Sequence, residues 1–104
     1  MSRLFIEQEH LSNLISIFDK YCPKATIYAY GSRLNGDAHS GSDLDLAVKD
    51  FGDENCNLIE LKEILSQSNI PFLVDILEFS SLPESFQKEI LKDFEVIYPA
   101  ENQK

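Results

Sequence analysis

Gly31-Ser32-Arg33-Leu34-Asn35-Gly36-Asp37-Ala38-His39-Ser40-Gly41-Ser42-Asp43-Leu44-Asp45-Leu46 is a polar, glycine-rich connection that runs into a segment alternating acidic and apolar residues. Upstream of it, residues 25–30 (Ala-Thr-Ile-Tyr-Ala-Tyr) are rich in β-branched and aromatic side chains, which predicts a strand ending at Gly31. Downstream, residues 44–48 predict a second strand, with Leu44, Leu46 and Val48 on one face and Asp43, Asp45 and Ala47 on the other. Between the two, residues 32–35 have room for one helical turn closed by Gly36, and residues 37–42 for a polar loop.

Working outward, Leu11, Leu14, Ile15 and Phe18 fall at i, i+3, i+4 and i+7 and predict a helix over residues 7–21, ended by Pro23. Leu58, Leu61, Ile64 and Leu65 mark a second helix over residues 53–67, after the break at Gly52. Pro71 precedes a third strand over residues 72–78. Ser81-Leu82-Pro83-Glu84 has the spelling of a capping box, opening a helix that turns Phe86, Ile90, Leu91 and Phe94 inward. Residues 96–98 add a short edge strand, and the chain after residue 99 is a polar tail. The expectation is a single α/β (α+β) domain over residues 1–104, with a small mixed sheet of three or four strands flanked by helices.

Among 104 residues, Asp plus Glu number 18 against 9 Lys plus Arg, a net charge of −9. That balance argues against sequence-blind binding to nucleic acid or to an anionic membrane, both of which need a basic face. A nucleotide would need a local device to offset the repulsion, and a divalent metal is one. Cys22 and Cys56 stand far apart with no paired spacing, as expected of small thiols in a reducing compartment. The opening residues lack the apolar stretch of a signal peptide, and no segment has the length of a membrane span, so a cytoplasmic protein is expected. His39 reads as a loop residue and His10 as a residue on the polar side of the first helix, since neither has a partner at ligand spacing.

Chemistry concentrates after the first strand. Gly31 and Ser32 stand where free backbone N–H groups at the start of a turn attract phosphate, and the Ser32 hydroxyl adds a donor. Gly31 and Gly36 have the spacing of P-loop glycines, but Asp37 and Ala38 occupy the positions of the required Lys and Ser/Thr. The acidic run from Asp37 to Asp45 is no calcium loop either, because Val48 replaces the bidentate glutamate. What remains is Asp43 and Asp45 at i and i+2 of one strand, with Cα atoms roughly 6.6 Å apart and carboxylates on one face. An isolated pair of this kind is more often a solvent-facing strand edge. Asp75 shifts the balance. It lies in Phe72-Leu73-Val74-Asp75-Ile76-Leu77, a run that predicts a buried central strand, where a carboxylate requires either an internal ion pair or a metal.

Gly31-Ser32, ten residues, then Asp43-Leu44-Asp45 resembles the signature of the nucleotidyltransferase (DNA polymerase β-like) superfamily, with Asp75 in the place of its third acid. The wording is similar to that of the minimal nucleotidyltransferases (MNT, or MntA-like, proteins), over about residues 7–98. The resemblance implies that Asp43, Asp45 and Asp75 are catalytic residues holding two Mg²⁺ ions, with Mn²⁺ as a substitute. It implies that Asp75 serves the catalytic metal and helps deprotonate the acceptor, and that Gly31 and Ser32 hold the nucleotide's β- and γ-phosphates. For Arg33, steadying the phosphates and a surface role weigh equally.

The resemblance further implies transfer of a nucleoside monophosphate, AMP from ATP, to a hydroxyl. It points to a tyrosine on a small helical HEPN-type toxin, with this chain as the antitoxin. A second expectation is a nucleotide-binding partner module that neutralises or scaffolds a helical protein by contact without catalysis. An aminoglycoside nucleotidyltransferase shares the chemistry, but 104 residues are too few to build an antibiotic pocket alone.

Overall fold

The computed structural model describes residues 6–31 and 43–99. Its elements in order are α1 (Gln8–Tyr21), β1 (Thr26–Tyr30), β2 (Leu44–Asp50), α2 (Leu58–Ser66), β3 (Val74–Glu78), a 3₁₀ turn (Phe79–Ser81), α3 (Glu84–Lys92) and β4 (Glu95–Tyr98). The four strands form one mixed sheet in the order β3-β2-β1-β4. β1 pairs antiparallel with β2 and with β4, while β2 and β3 run parallel and are joined by the crossover through α2.

Alternation along the strands gives the sheet two unlike faces. On the first, Ile27 and Ala29 of β1, Leu44, Leu46 and Val48 of β2, Ile76 and Ile97 pack beneath Leu14 and Phe18 of α1 and Leu61 and Leu65 of α2. On the second, Ala47 packs with Phe79 and with Ile90 of α3, flanked by Tyr28, Tyr30, Leu82 and Phe94. Tyr98 ties β4 to α1, its ring edge-on to Phe18 and its hydroxyl donating to the Asp19 carboxylate. Cys22 and Cys56 are both free thiols buried in the first layer. No described helix is long and apolar enough to cross a membrane.

Several local expectations are corrected. The second helix starts at Leu58 rather than near residue 53, because Asn57 accepts from the Glu60 N–H at 2.9 Å and caps it. Residues ahead of it form a turn, with the Cys56 N–H donating to the Asp53 carbonyl. The capping box at Ser81 does not form: Ser81 belongs to the 3₁₀ turn and Pro83 takes the N-cap position of α3 without a side-chain bond. Gln87 does the tying instead, donating from Nε2 to the Phe79 and Leu82 carbonyls, each at 3.0 Å. Of the four α3-region residues expected inward, Ile90 is buried and Phe94 half-buried, whereas Phe86 and Leu91 are exposed. A nine-residue helix lying on one strand pair has a narrow inward stripe. His10 is half-buried rather than on a polar face. Its ring meets Phe72 edge-on at 5.7 Å, and Nε2 lies 3.1 Å from Glu7 Oε1.

Candidate active site

Strand register brings the site together. Tyr30 of β1 stands opposite Asp45 of β2, and Asp45 stands opposite Asp75 of β3. Neighbouring strands are about 4.8 Å apart, so these three side chains stand abreast on the second face, one row beyond Tyr28, Ala47 and Leu77. Asp43 lies two residues ahead of Asp45 and is exposed. The Leu44 N–H donates to the Leu73 carbonyl at 2.9 Å, which extends the β2–β3 pairing to this end of the sheet.

Gly31 closes the row at the end of β1. Its φ is +87°, a conformation that L side chains rarely adopt. A Cβ added there would overlap Asp45 Oδ2 and stand 3.3 Å from its Cγ. The Asp45 carboxylate therefore lies directly against the backbone of Gly31, and a side chain there would push it aside.

Two groups of the row, Asp45 and Tyr30, are perturbed by their surroundings. Burial pushes the Asp45 carboxyl above the ordinary carboxylate range, and the charges of Asp75 and then Asp43 add to the rise. Burial, with Asp45 and Asp75 beside it, pushes the Tyr30 phenol up to about 12, so it stays protonated at neutral pH. Crowded anions of this kind are relieved by a cation placed among them.

Asp75 departs from its expected setting. β3 is an edge strand, not a central one, and Asp75 is exposed. Its apolar neighbours divide by alternation: Val74 and Ile76 pack on the first layer, whereas Leu73 is 65% exposed. The half-buried carboxylate of the site is Asp45 instead. Ser32, Arg33, His39, the turn expected at 32–35 and the loop expected at 37–42 lie outside the described residues.

The donor set suits a hard divalent cation that shares its ligands with a nucleotide. Among the described residues no three carboxylates, histidines or cysteines converge to hold an ion unaided. Mg²⁺ characteristically takes one or two carboxylates and completes its shell with phosphate oxygens and water, and Asp45 with Asp75 opposite it could supply those carboxylates.

A sequence profile of the family described as Polymerase beta, Nucleotidyltransferase matches residues 12–103. The chain belongs to this nucleotidyltransferase family. It is 35% identical over 103 residues, 96% of its length and 89% of the relative's, to a protein of Haemophilus influenzae named probable protein adenylyltransferase MntA. In fold it is similar to a toxin–antitoxin crystallised with AMP-PNP (TM-score 0.66, 23% identity, 89% of this chain and 76% of that one). It is also similar to the toxin–antitoxin MntA-HepT (TM-score 0.63, 20% identity, 93% and 76%).

Within this nucleotidyltransferase, Asp45, Asp75 and Gly31 meet at one end of the second sheet face, with Asp43 close enough to act on Asp45. Sequence reasoning missed one neighbour of the acids and the ring that packs on it. Tyr30 stands beside Asp45, and Phe86 of α3 meets the Tyr30 ring edge-on at 5.9 Å and 81°. The strand alternation that puts Asp45 on the second face also puts Tyr30 there, so Tyr30 was legible. Phe86 was not, because its place depends on how α3 packs.

Proposed function

We propose that the chain is a Mg²⁺-dependent nucleotidyltransferase that moves AMP from ATP to a tyrosine hydroxyl of a HEPN-type helical partner. In this reading it is the antitoxin of a toxin–antitoxin pair, acting in the cytoplasm, with residues 1–104 working as one domain. The observation that carries the reading is the abreast pair Asp45 and Asp75 against Gly31, in a member of this family. The adenylyltransferase name of the relative and the toxin–antitoxin assemblies of the fold neighbours support the acceptor class.

Asp43, Asp45 and Asp75 would hold two divalent cations, Mg²⁺ or Mn²⁺, which when bound would supply charge neutralisation for the triphosphate and lower the cost of ionising the acceptor hydroxyl. Gly31 and Ser32 receive the β- and γ-phosphates, and Arg33 either steadies them or serves at the surface. Asp75, exposed at the sheet edge, is open to a hydroxyl carried by another protein and takes its proton. A bond forms from that oxygen to the α-phosphorus as the bond to pyrophosphate breaks. Holding the oxygen about 3 Å from phosphorus is the larger part of such catalysis, and the partner's docking supplies it.

The test is to incubate the chain and its helical partner with ATP and Mg²⁺ and weigh the partner by intact-mass spectrometry. A gain of one AMP per transfer, absent with Asp43→Asn, is expected. A second reading is a nucleotide-binding module that neutralises the partner by contact without catalysis. It prevails if Asp43→Asn neutralises the partner as well as the native chain does, with no mass change.

A further inference from the structure

The second face of the sheet carries two aromatic clusters with different surroundings. Tyr28 packs against Phe94 at 4.5 Å and Phe79 at 6.1 Å, and belongs to the layer under α3. Tyr30, two residues on, pairs with Phe86 at the open end of that layer, and Phe86 is 36% exposed. The first cluster is core. The second has an uncovered aromatic edge next to a row of carboxylates, and apolar rings beside a few convergent polar groups are the usual lining of a small-molecule site.

Across the sheet the order is Asp75, Asp45, Tyr30, from the β3 edge inward. On the reading above, which this inference rests on, the acceptor approaches at exposed Asp75 and the α-phosphate sits over Asp45. The far end of the row then belongs to the nucleotide. Tyr30 directly precedes Gly31, so one strand end carries both the ring and the phosphate-receiving backbone. Phe86 is one ring contact beyond it. We propose that Tyr30 and Phe86 form the wall that receives the nucleobase, with Phe86 as the residue that turns phosphate binding into nucleoside binding.

The wall is neutral in a chain of net charge −9, so it adds affinity for a planar base without adding affinity for phosphate. Base–aromatic stacking of this kind is worth roughly a tenfold change in affinity when the ring is removed. Tyr30 supports Phe86 through the edge-on contact of the two rings.

The experiment is calorimetric titration of the whole chain with Mg·ATP and, separately, with Mg·tripolyphosphate. Phe86→Ala is expected to weaken Mg·ATP about tenfold and to leave Mg·tripolyphosphate within about twofold, with Phe86→Trp restoring ATP affinity. Thermal melting checks the fold of each variant, and Phe86→Leu, which keeps apolar bulk but no ring, stands in if the alanine variant does not fold. Equal weakening toward both ligands, or none toward either, overturns the inference. So does unchanged ATP affinity with reduced transfer to the partner, which would give the wall to the acceptor. A native chain that binds neither ligand overturns the nucleotide reading itself, and this inference with it.

Discussion

The two faces of the sheet are built by the same strands and differ in what lies over them. The first is sealed by α1 and α2, with Ile27, Ala29, Leu44, Leu46 and Ile76 all essentially inaccessible. The second is covered by α3 over Ala47 and touched by it at Tyr30 through Phe86, while Asp45 and Asp75 are left at an open end. Leu46 and Asp45 are neighbours in sequence, yet one belongs to the core and the other to the chemistry. Stability and activity should therefore separate by the parity of the residue within a strand.

The largest expected effect lies on the open face. Asp45→Asn should lower transfer at least about a hundredfold, the scale for a lost electrostatic contribution to the transition state, while melting stays cooperative. Single-turnover kinetics read the first, and calorimetry the second. Its counterpart is Leu46→Ala on the sealed face, expected to reduce stability by roughly 3 kcal/mol through the cavity it leaves. Urea titration measures that loss, and the folded fraction should keep its Mg·ATP affinity. A Leu46→Ala protein that folds normally but fails to bind would break the division between the faces.

Gly31→Ala tests the one place where the backbone itself belongs to the site. Strain at positive φ is worth about 1–3 kcal/mol, and the added methyl displaces the Asp45 carboxylate. Loss of Mg·ATP binding by the folded protein should therefore exceed the loss of stability; equal losses would mean that the contact with Asp45 is incidental.

The smallest effect is a pH dependence. Because Asp45 has a raised carboxyl pKa in the folded protein, its ionisation opposes folding as pH rises through that value. Without metal, Asp45→Asn should melt slightly above the native chain at neutral pH. The gap should close as pH falls below the ordinary aspartate value of 3.8, where the native carboxyl is protonated in both states. Over the same descent the native chain should lose Mg²⁺ affinity. A gap that widens on acidification would show that Asp45 is stabilised as the anion.

Much of this was readable without coordinates, and the exceptions have particular causes. The strand around Leu44 was legible because alternation has period two, and the one ending at Tyr30 because it is rich in β-branched and aromatic residues. The start of α2 was misplaced because residues 53–56 continue the polar spelling of a helix start, whereas the cap that forms is Asn57 with Glu60. Asp75 was given the right neighbours and the wrong burial. An apolar run bordering a sheet looks the same in sequence whether the strand is central or at the edge.

The sequence by itself determined which residues could share a face, since Asp43 and Asp45, or Leu44, Leu46 and Val48, are related by local backbone geometry alone. It also determined the acidic, glycine-led character of the site. Only the tertiary structure decided that β3 lies beside β2 in parallel, which sets Asp75 opposite Asp45, and that α3 meets that row at Tyr30, leaving Phe86 at its rim. Those facts depend on the order of strands and the docking of a helix. Both are settled by burial summed over residues distant in the chain, and no local pattern records that sum.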